Sequence, residues 1–317
     1  MSHPGIDETY GVVAMDDLSS LTTEAVRAQH SDLDSRGSLD LVLLMNDEDA
    51  TVAGVVRRAA PQVAAAVDAI SARLSAGGRM ISVGAGTGGR LAVVDSVECE
   101  PTYGTEPGQV VAVIAGGREA MADTREGDED DEQAGAADVD ALRLNRSDAV
   151  IVVSASGRTP YALGAARAAR WAGSLVVALA NTRQSPLADL ADVAIEVPTG
   201  PEIVAGSTRL KAGTAQKMVL NMLSTLVMVR QGHTFGNLMI DVRVDNDKLR
   251  QRAVRNVAQA AGIPYEQAEL ALAAADGQAK VAVVAARAGL PVDEARARLA
   301  AAGGNARQAL AAHFDAR

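Results

Sequence analysis

Apolar residues fall into two alternating patterns along the chain. Short continuous runs occur at 80–83, 110–115, 149–153, 175–180 and 193–197, with segments of helical periodicity between them. Runs that are apolar throughout, rather than at every second residue, predict strands covered on both faces, as in a parallel sheet. A helix is predicted over 49–75, with Val52, Val55, Val56, Ala59, Val63 and Val67 on one side and Gly77 and Gly78 beyond its end. Another is predicted over 161–171, and a long one over 207–230. In the long one Met218, Leu220, Met222, Leu223, Leu226 and Met228 form a stripe suited to a core or a subunit interface. Right-handed crossovers turn this order into a doubly wound α/β fold on a five-stranded parallel sheet. Beyond about residue 263, alanine-rich helices are predicted at 265–274, 278–287 and 292–301, punctuated by glycine and proline. The expected organisation is a polar N-terminal segment over 1–45, an α/β domain over 46–262 and a small three-helix module over 263–317.

Charge and composition narrow the function. The formal charge is −10, from 30 basic and 40 acidic residues, which argues against bulk nucleic-acid binding. Aromatic residues make up only 2%, leaving few stacking platforms for single strands. No apolar run approaches the roughly 18 residues of a membrane span. The polar, acidic N-terminus does not read as a signal peptide. A single cysteine, Cys99, excludes an internal disulfide and fits a reducing cytoplasm. The four histidines, His3, His30, His233 and His313, lack the spacing of a zinc site, so no metal is expected. The acidic stretch over 116–140 reads mostly as a solvated surface.

Two loops carry the candidate chemistry. After the first strand come Gly84, Gly86, Gly88 and Gly89, and the pattern turns helical from Arg90. Glycines let a ligand approach the backbone, and a helix N-terminus offers N–H groups and a favourable dipole to phosphate. The spacing also matches the dinucleotide fingerprint. The second strand, however, ends in Ala115-Gly116-Gly117-Arg118, without the acidic residue that would hold a ribose. A P-loop is excluded because no Lys-Ser/Thr pair follows the glycines. The third strand ends in Ser154-Ala155-Ser156-Gly157-Arg158-Thr159-Pro160, a second cradle of hydroxyls and N–H groups, unless Ser156 or Thr159 serves only as a helix cap. Two such loops at the ends of neighbouring parallel strands share the usual ligand crevice of such sheets.

The strings G-A-G-T-G-G-R-L, D-S-V-E-C-E-P-T-Y-G, S-A-S-G-R-T-P-Y and G-P-E-I-V-A-G-S-T-R-L-K-A-G-T-A-Q-K resemble the N-acetylmuramic acid 6-phosphate etherase family. So do A-G-G-R-E-A, E-G-D-E-D-D and F-G-N-L-M-I-D-V. The resemblance implies a sugar isomerase (SIS) domain with a small C-terminal helical domain, working as a cytoplasmic homodimer without a cofactor. It implies cleavage of the lactyl ether of N-acetylmuramate 6-phosphate to N-acetylglucosamine 6-phosphate and D-lactate in cell-wall sugar recycling. Glu98 is implied as the proton donor to departing lactate and Glu129 as the base at C2. The implied phosphosugar contacts are Gly86, Thr87, Gly88, Arg90, Ser154, Ser156, Gly157, Thr159, Glu202, Ser207 and Lys211. Three positions depart from the family pattern. Gly88 replaces a serine that the fold uses on phosphate, Glu100 replaces a proline, and Thr23-Glu24-Ala25-Val26-Arg27 stands where T-E-x-R-N is usual. A phosphosugar isomerase and a sugar-phosphate-sensing regulator on the same fold remain as alternatives.

Overall fold

The computed structural model describes residues 22–123, 126–244 and 247–314; the side chains of Glu126 and of residues 312–314 lie outside that description. His3 and most of the first half of the 1–45 segment therefore fall outside the described residues, as does the side chain of His313.

The five apolar runs form the five strands: β1 (Met80–Gly84), β2 (Val110–Ile114), β3 (Ala149–Ser154), β4 (Leu175–Ala180) and β5 (Val193–Glu196). All pair in parallel, in the order β2-β1-β3-β4-β5. Every residue of β1, β3 and β4 is buried, which explains their almost wholly apolar sequences, with Ser82 and Ser154 the exceptions. Successive side chains serve opposite faces. Ile151 and Val153 join one core with α2 (Val52–Arg58), α3 (Ala60–Ser75) and α9 (Lys211–Arg230). Val150 and Val152 join the other with α7 (Pro160–Trp171) and α6 (Glu132–Ala141). The chain runs from β1 to β2 on one side and returns to β3 on the other. Gly84 pairs with both Ile114 and Val153, so the strand order reverses at the C-terminal end of β1. A crevice opens at such a point.

The helix expected over 49–75 is divided. Pro61 lies in the first turn of α3 and cannot continue a helix from α2, because its ring would meet the carbonyl one turn earlier. A further helix, α1 (Ser38–Ala50), precedes it and buries no residue; Leu39, Val42 and Leu43 are exposed. The long helix α9 starts at Lys211, with 207–210 in the preceding loop. Between the strands lie α4 (Gly86–Val97), α5 (Cys99–Tyr103) and α8 (Pro186–Asp189).

After α9 a short hairpin, β6 (Thr234–Phe235) and β7 (Leu238–Met239), leads into α10 (Asp247–Ala261), α11 (Tyr265–Ala274), α12 (Ala279–Ala288), α13 (Val292–Ala301) and α14 (Ala306–Phe314). The three expected helices are present as α11–α13. α10 and α14 add to them, and one apolar cluster from Ile240 to Leu310 unites all five. Val254 and Val257 tie α10 to this cluster, not to the sheet cores. Among the described residues no helix is long and apolar enough to cross a membrane.

Candidate active site

The glycine loop after β1 divides its labour. Gly86, at φ +51, opens α4 in a conformation that side chains rarely adopt. A Cβ on Gly89 would lie 2.6 Å from the Gly84 carbonyl oxygen, so this pair lets helix and strand touch. The dinucleotide-like spacing of Gly84 and Gly89 thus follows from packing. Thr87 and Gly88 occupy the first turn of α4, where backbone N–H groups lack intrahelical acceptors.

The loop after β3 is ordered by its own hydroxyls. Ser154 Oγ accepts from the Gly157 N–H at 3.0 Å and shares a hydrogen bond of 2.9 Å with Thr159 Oγ1. Ser156 Oγ accepts from the Arg158 N–H at 3.2 Å. Thr159 stands at the N-cap of α7 but makes no side-chain cap bond. One proton of the Ser154–Thr159 hydroxyl pair therefore remains to donate outward. Gly157, at φ +65, shapes the loop, and a Cβ there would collide with Ser185.

Both loops open into one cavity of about 240 Å³ at the crevice beside β1 and β3. Gly86, Thr87, Gly88, Ser154, Ser156 and Thr159 line it, together with Glu129. Glu129 Oε2 lies 3.9 Å from where a Cβ on Gly86 would stand, and the residue is exposed at the cavity. Two helix N-termini, two hydroxyl-bearing loops and a carboxylate thus share one small polar space. It suits a phosphorylated polyol with a proton to give up.

The other residues singled out above lie elsewhere. Arg90 donates to the Asp123 carbonyl at 3.0 Å. Glu202, 2% exposed, accepts from the N–H groups of Lys211 and Ala212 at 3.0 and 2.9 Å and so caps α9. Lys211 Nζ lies 2.6 Å from Glu48 Oε2. Burial raises the Glu48 pKa, but Lys211 and Arg27 outweigh it and hold the carboxyl below its ordinary value. Ser207 turns the loop before α9, its N–H donating to the Val204 carbonyl at 3.0 Å. Glu98 is exposed at the C-cap of α4. The 12 residue steps from Gly86 to Glu98 span about 18 Å of helix axis, so Glu98 does not reach the cavity of its own chain. Cys99 beside it is buried, and burial followed by the Asp95 charge pushes its thiol up to about 12.

The cavity also takes residues that sequence reasoning did not assign: Glu24, Gly206, Thr208 and Gln216. Glu24 belonged to a string compared with the family pattern, and Gln216 to the G-T-A-Q-K string, but neither has a periodicity or spacing that marks a site. Gln216 Nε2 donates to Asn181 Oδ1 at 2.8 Å, which holds the side chain against Gly88. A larger cleft of about 800 Å³ lies between residues 240–244 and α12–α13, but none of the cradle residues line it. Its cations are paired, Lys280 with Asp241, Arg243 with Glu100 and Arg296 with Asp276. Among the described residues no group of three or more His, Cys, Asp or Glu side chains is placed to hold a metal.

Comparison with known proteins adds three findings. The glucokinase regulatory protein N-terminal SIS domain family matches residues 62–169, and the SIS domain family matches 131–226. The chain is 55% identical over 266 residues to an N-acetylmuramic acid 6-phosphate etherase of Streptomyces coelicolor, covering 84% of this chain and 86% of the relative. It is 56% identical over 266 residues to the protein of the same name from Rubrobacter xylanophilus, covering 84% and 88%. Among solved structures, a phosphoheptose isomerase from Francisella tularensis is similar with a TM-score of 0.47 and 19% identity, over 61% of this chain and 98% of that one.

Proposed function

The chain belongs to the N-acetylmuramic acid 6-phosphate etherase family, and from that premise we propose how it cleaves the lactyl ether of N-acetylmuramate 6-phosphate. The observation that carries the reading is the convergence of both phosphate-type cradles and Glu129 on one cavity. The cradles hold the 6-phosphate. In the open-chain sugar C1 is an aldehyde, which makes the C2 proton acidic. Glu129 takes that proton, the C2–H electron pair forms the C2=C3 double bond, and the C3–O bond breaks toward lactate. A second carboxylic acid protonates the departing ether oxygen. Water then adds its oxygen to C3 and a proton to C2, giving N-acetylglucosamine 6-phosphate and D-lactate. Each proton transfer contributes a factor of about 10²–10⁴.

Glu98 supplies the acid in this reading, and it comes from a second copy of the chain. Three observations support a homodimer that delivers it. Glu98 is far from its own cavity. Val94 and Val97 beside it are 54% and 61% exposed, and Leu226 and Val229 of α9 and Leu39, Val42 and Leu43 of α1 are exposed as well. A second copy covering these apolar surfaces would bury Glu98, and burial raises a carboxyl pKa, as an acid catalyst requires. The setting is the cytoplasm, which suits a chain whose one thiol is free and buried.

The test is incubation with N-acetylmuramate 6-phosphate in heavy-oxygen water. Free D-lactate without label and N-acetylglucosamine 6-phosphate labelled at C3 are expected. Label in lactate would mean displacement on the lactyl side, and aldose–ketose interconversion without lactate would mean an isomerase.

A further inference from the structure

The cavity holds a second carboxylate from the same chain. Glu24 lies on the segment before α1 and lines the cavity with the cradle residues. No hydrogen bond or ion pair to another described residue engages it. Its neighbours fix it there nonetheless. Thr23 is buried at 1% exposure, and Arg27 pairs with Glu48, which also holds Lys211 at the start of α9. The loop before α9 makes room for it: Gly206 has φ +76, and a Cβ there would lie 2.8 Å from Glu24 Oε2. An anchored segment thus holds an unpaired carboxylate against a glycine in a ligand-sized space.

We propose that Glu24 is a further substrate-binding residue, its carboxylate accepting a hydrogen bond from a hydroxyl or the acetamido N–H of the sugar. The proposal rests on the reading of this cavity as the phosphosugar site. An ionised carboxylate only accepts hydrogen bonds and repels phosphate. It must therefore meet the donor-bearing part of the ligand, while the loops after β1 and β3 hold the phosphate. Arg27 and Glu48 act as positioning residues by fixing the segment that carries Glu24.

The test is calorimetric titration of the wild-type protein and Glu24→Gln with N-acetylglucosamine 6-phosphate and, separately, with inorganic phosphate. Loss of the charge is expected to weaken the sugar phosphate by about tenfold, as for one hydrogen bond to a charged group. Phosphate affinity and the melting temperature are expected to stay unchanged, because Glu24 has no partner among the described residues to lose. Repeating the titration with glucose 6-phosphate identifies the donor: a penalty there as well assigns a hydroxyl, and a penalty confined to the acetamido sugar assigns the amide N–H. Equal affinity of wild type and variant for N-acetylglucosamine 6-phosphate would overturn the proposal. So would parallel weakening of sugar phosphate and phosphate, or a fall in melting temperature. Failure of the wild-type protein to bind the sugar phosphate at all would instead overturn the reading of the cavity, and the role of Glu24 with it.

Discussion

Lys211 Nζ lies 2.6 Å from Glu48 Oε2, with the two side chains only 3% and 15% exposed. This buried pair joins α1 to the start of α9; Thr208 in the loop before α9 and Gln216 in its second turn both line the cavity. Removing Glu48 leaves the Lys211 ammonium buried and uncompensated, whereas Arg27 still faces Glu48 when Lys211 is removed. Glu48→Gln is therefore expected to cost about 3 kcal/mol of stability, read from urea denaturation. A pH effect follows with a definite sign. Folding lowers the Glu48 pKa, so the pair's stabilisation is complete above the ordinary carboxylate range and is lost as pH falls through the lowered value. Melting curves of Glu48→Gln should lack that acid-dependent component, and an identical pH profile for both proteins would exclude Glu48 as its source.

Gly88 faces the cavity without a positive φ, so a side chain is conformationally allowed there. Its Cβ would stand 3.0 Å from Val153 Cγ1 and 3.2 Å from Gln216 Oε1, and both neighbours would have to give by a few tenths of an ångström. Gly88→Ser is expected to lose about 1 kcal/mol of stability from overpacking. Its added hydroxyl should tighten N-acetylglucosamine 6-phosphate by about tenfold. Calorimetry beside thermal melting separates the two effects. Unchanged affinity in a folded protein would mean that position 88 does not present a hydroxyl to phosphate.

Cys99 stands between Glu98 and Glu100 and invites a reading as a reactive thiol. The structure gives the opposite expectation, because burial pushes its pKa up to about 12 and the thiolate is the reactive form. The native protein at pH 8 should resist alkylation by iodoacetamide, whereas the urea-unfolded chain should be modified fully. Rapid labelling of the folded protein, monitored by mass, would contradict this.

The strands were legible because β1, β3 and β4 are buried on both faces and so are apolar but for Ser82 within β1 and Ser154 at the end of β3. Both cavity-lining loops were legible as glycines and hydroxyls at strand-to-helix junctions. The α1 helix was not, because a helix that buries nothing within its own chain needs no apolar stripe. Glu24 and Gln216 reach the cavity from opposite ends of the α/β region, and only the folded path brings them together. Glu202 and Lys211 show a different limit. A charged residue in a distinctive string can serve a ligand or the fold. Here the α9 N–H groups and Glu48 are the partners found, and no local pattern in the sequence names them.

The central claim is that lactyl ether cleavage uses Glu129 of one chain and Glu98 of another, and a heterodimer tests it most directly. Glu98→Gln and Glu129→Gln chains, differently tagged and co-expressed, are purified as the mixed dimer, and D-lactate release from N-acetylmuramate 6-phosphate is measured. Each parent homodimer should be slowed by about 10²–10⁴. In the mixed dimer one of two symmetry-related sites regains both native glutamates, so about half the wild-type rate should return. A mixed dimer as inactive as its parents would place both glutamates in one chain's site, or remove one of them from the reaction, and the shared-site account would be wrong.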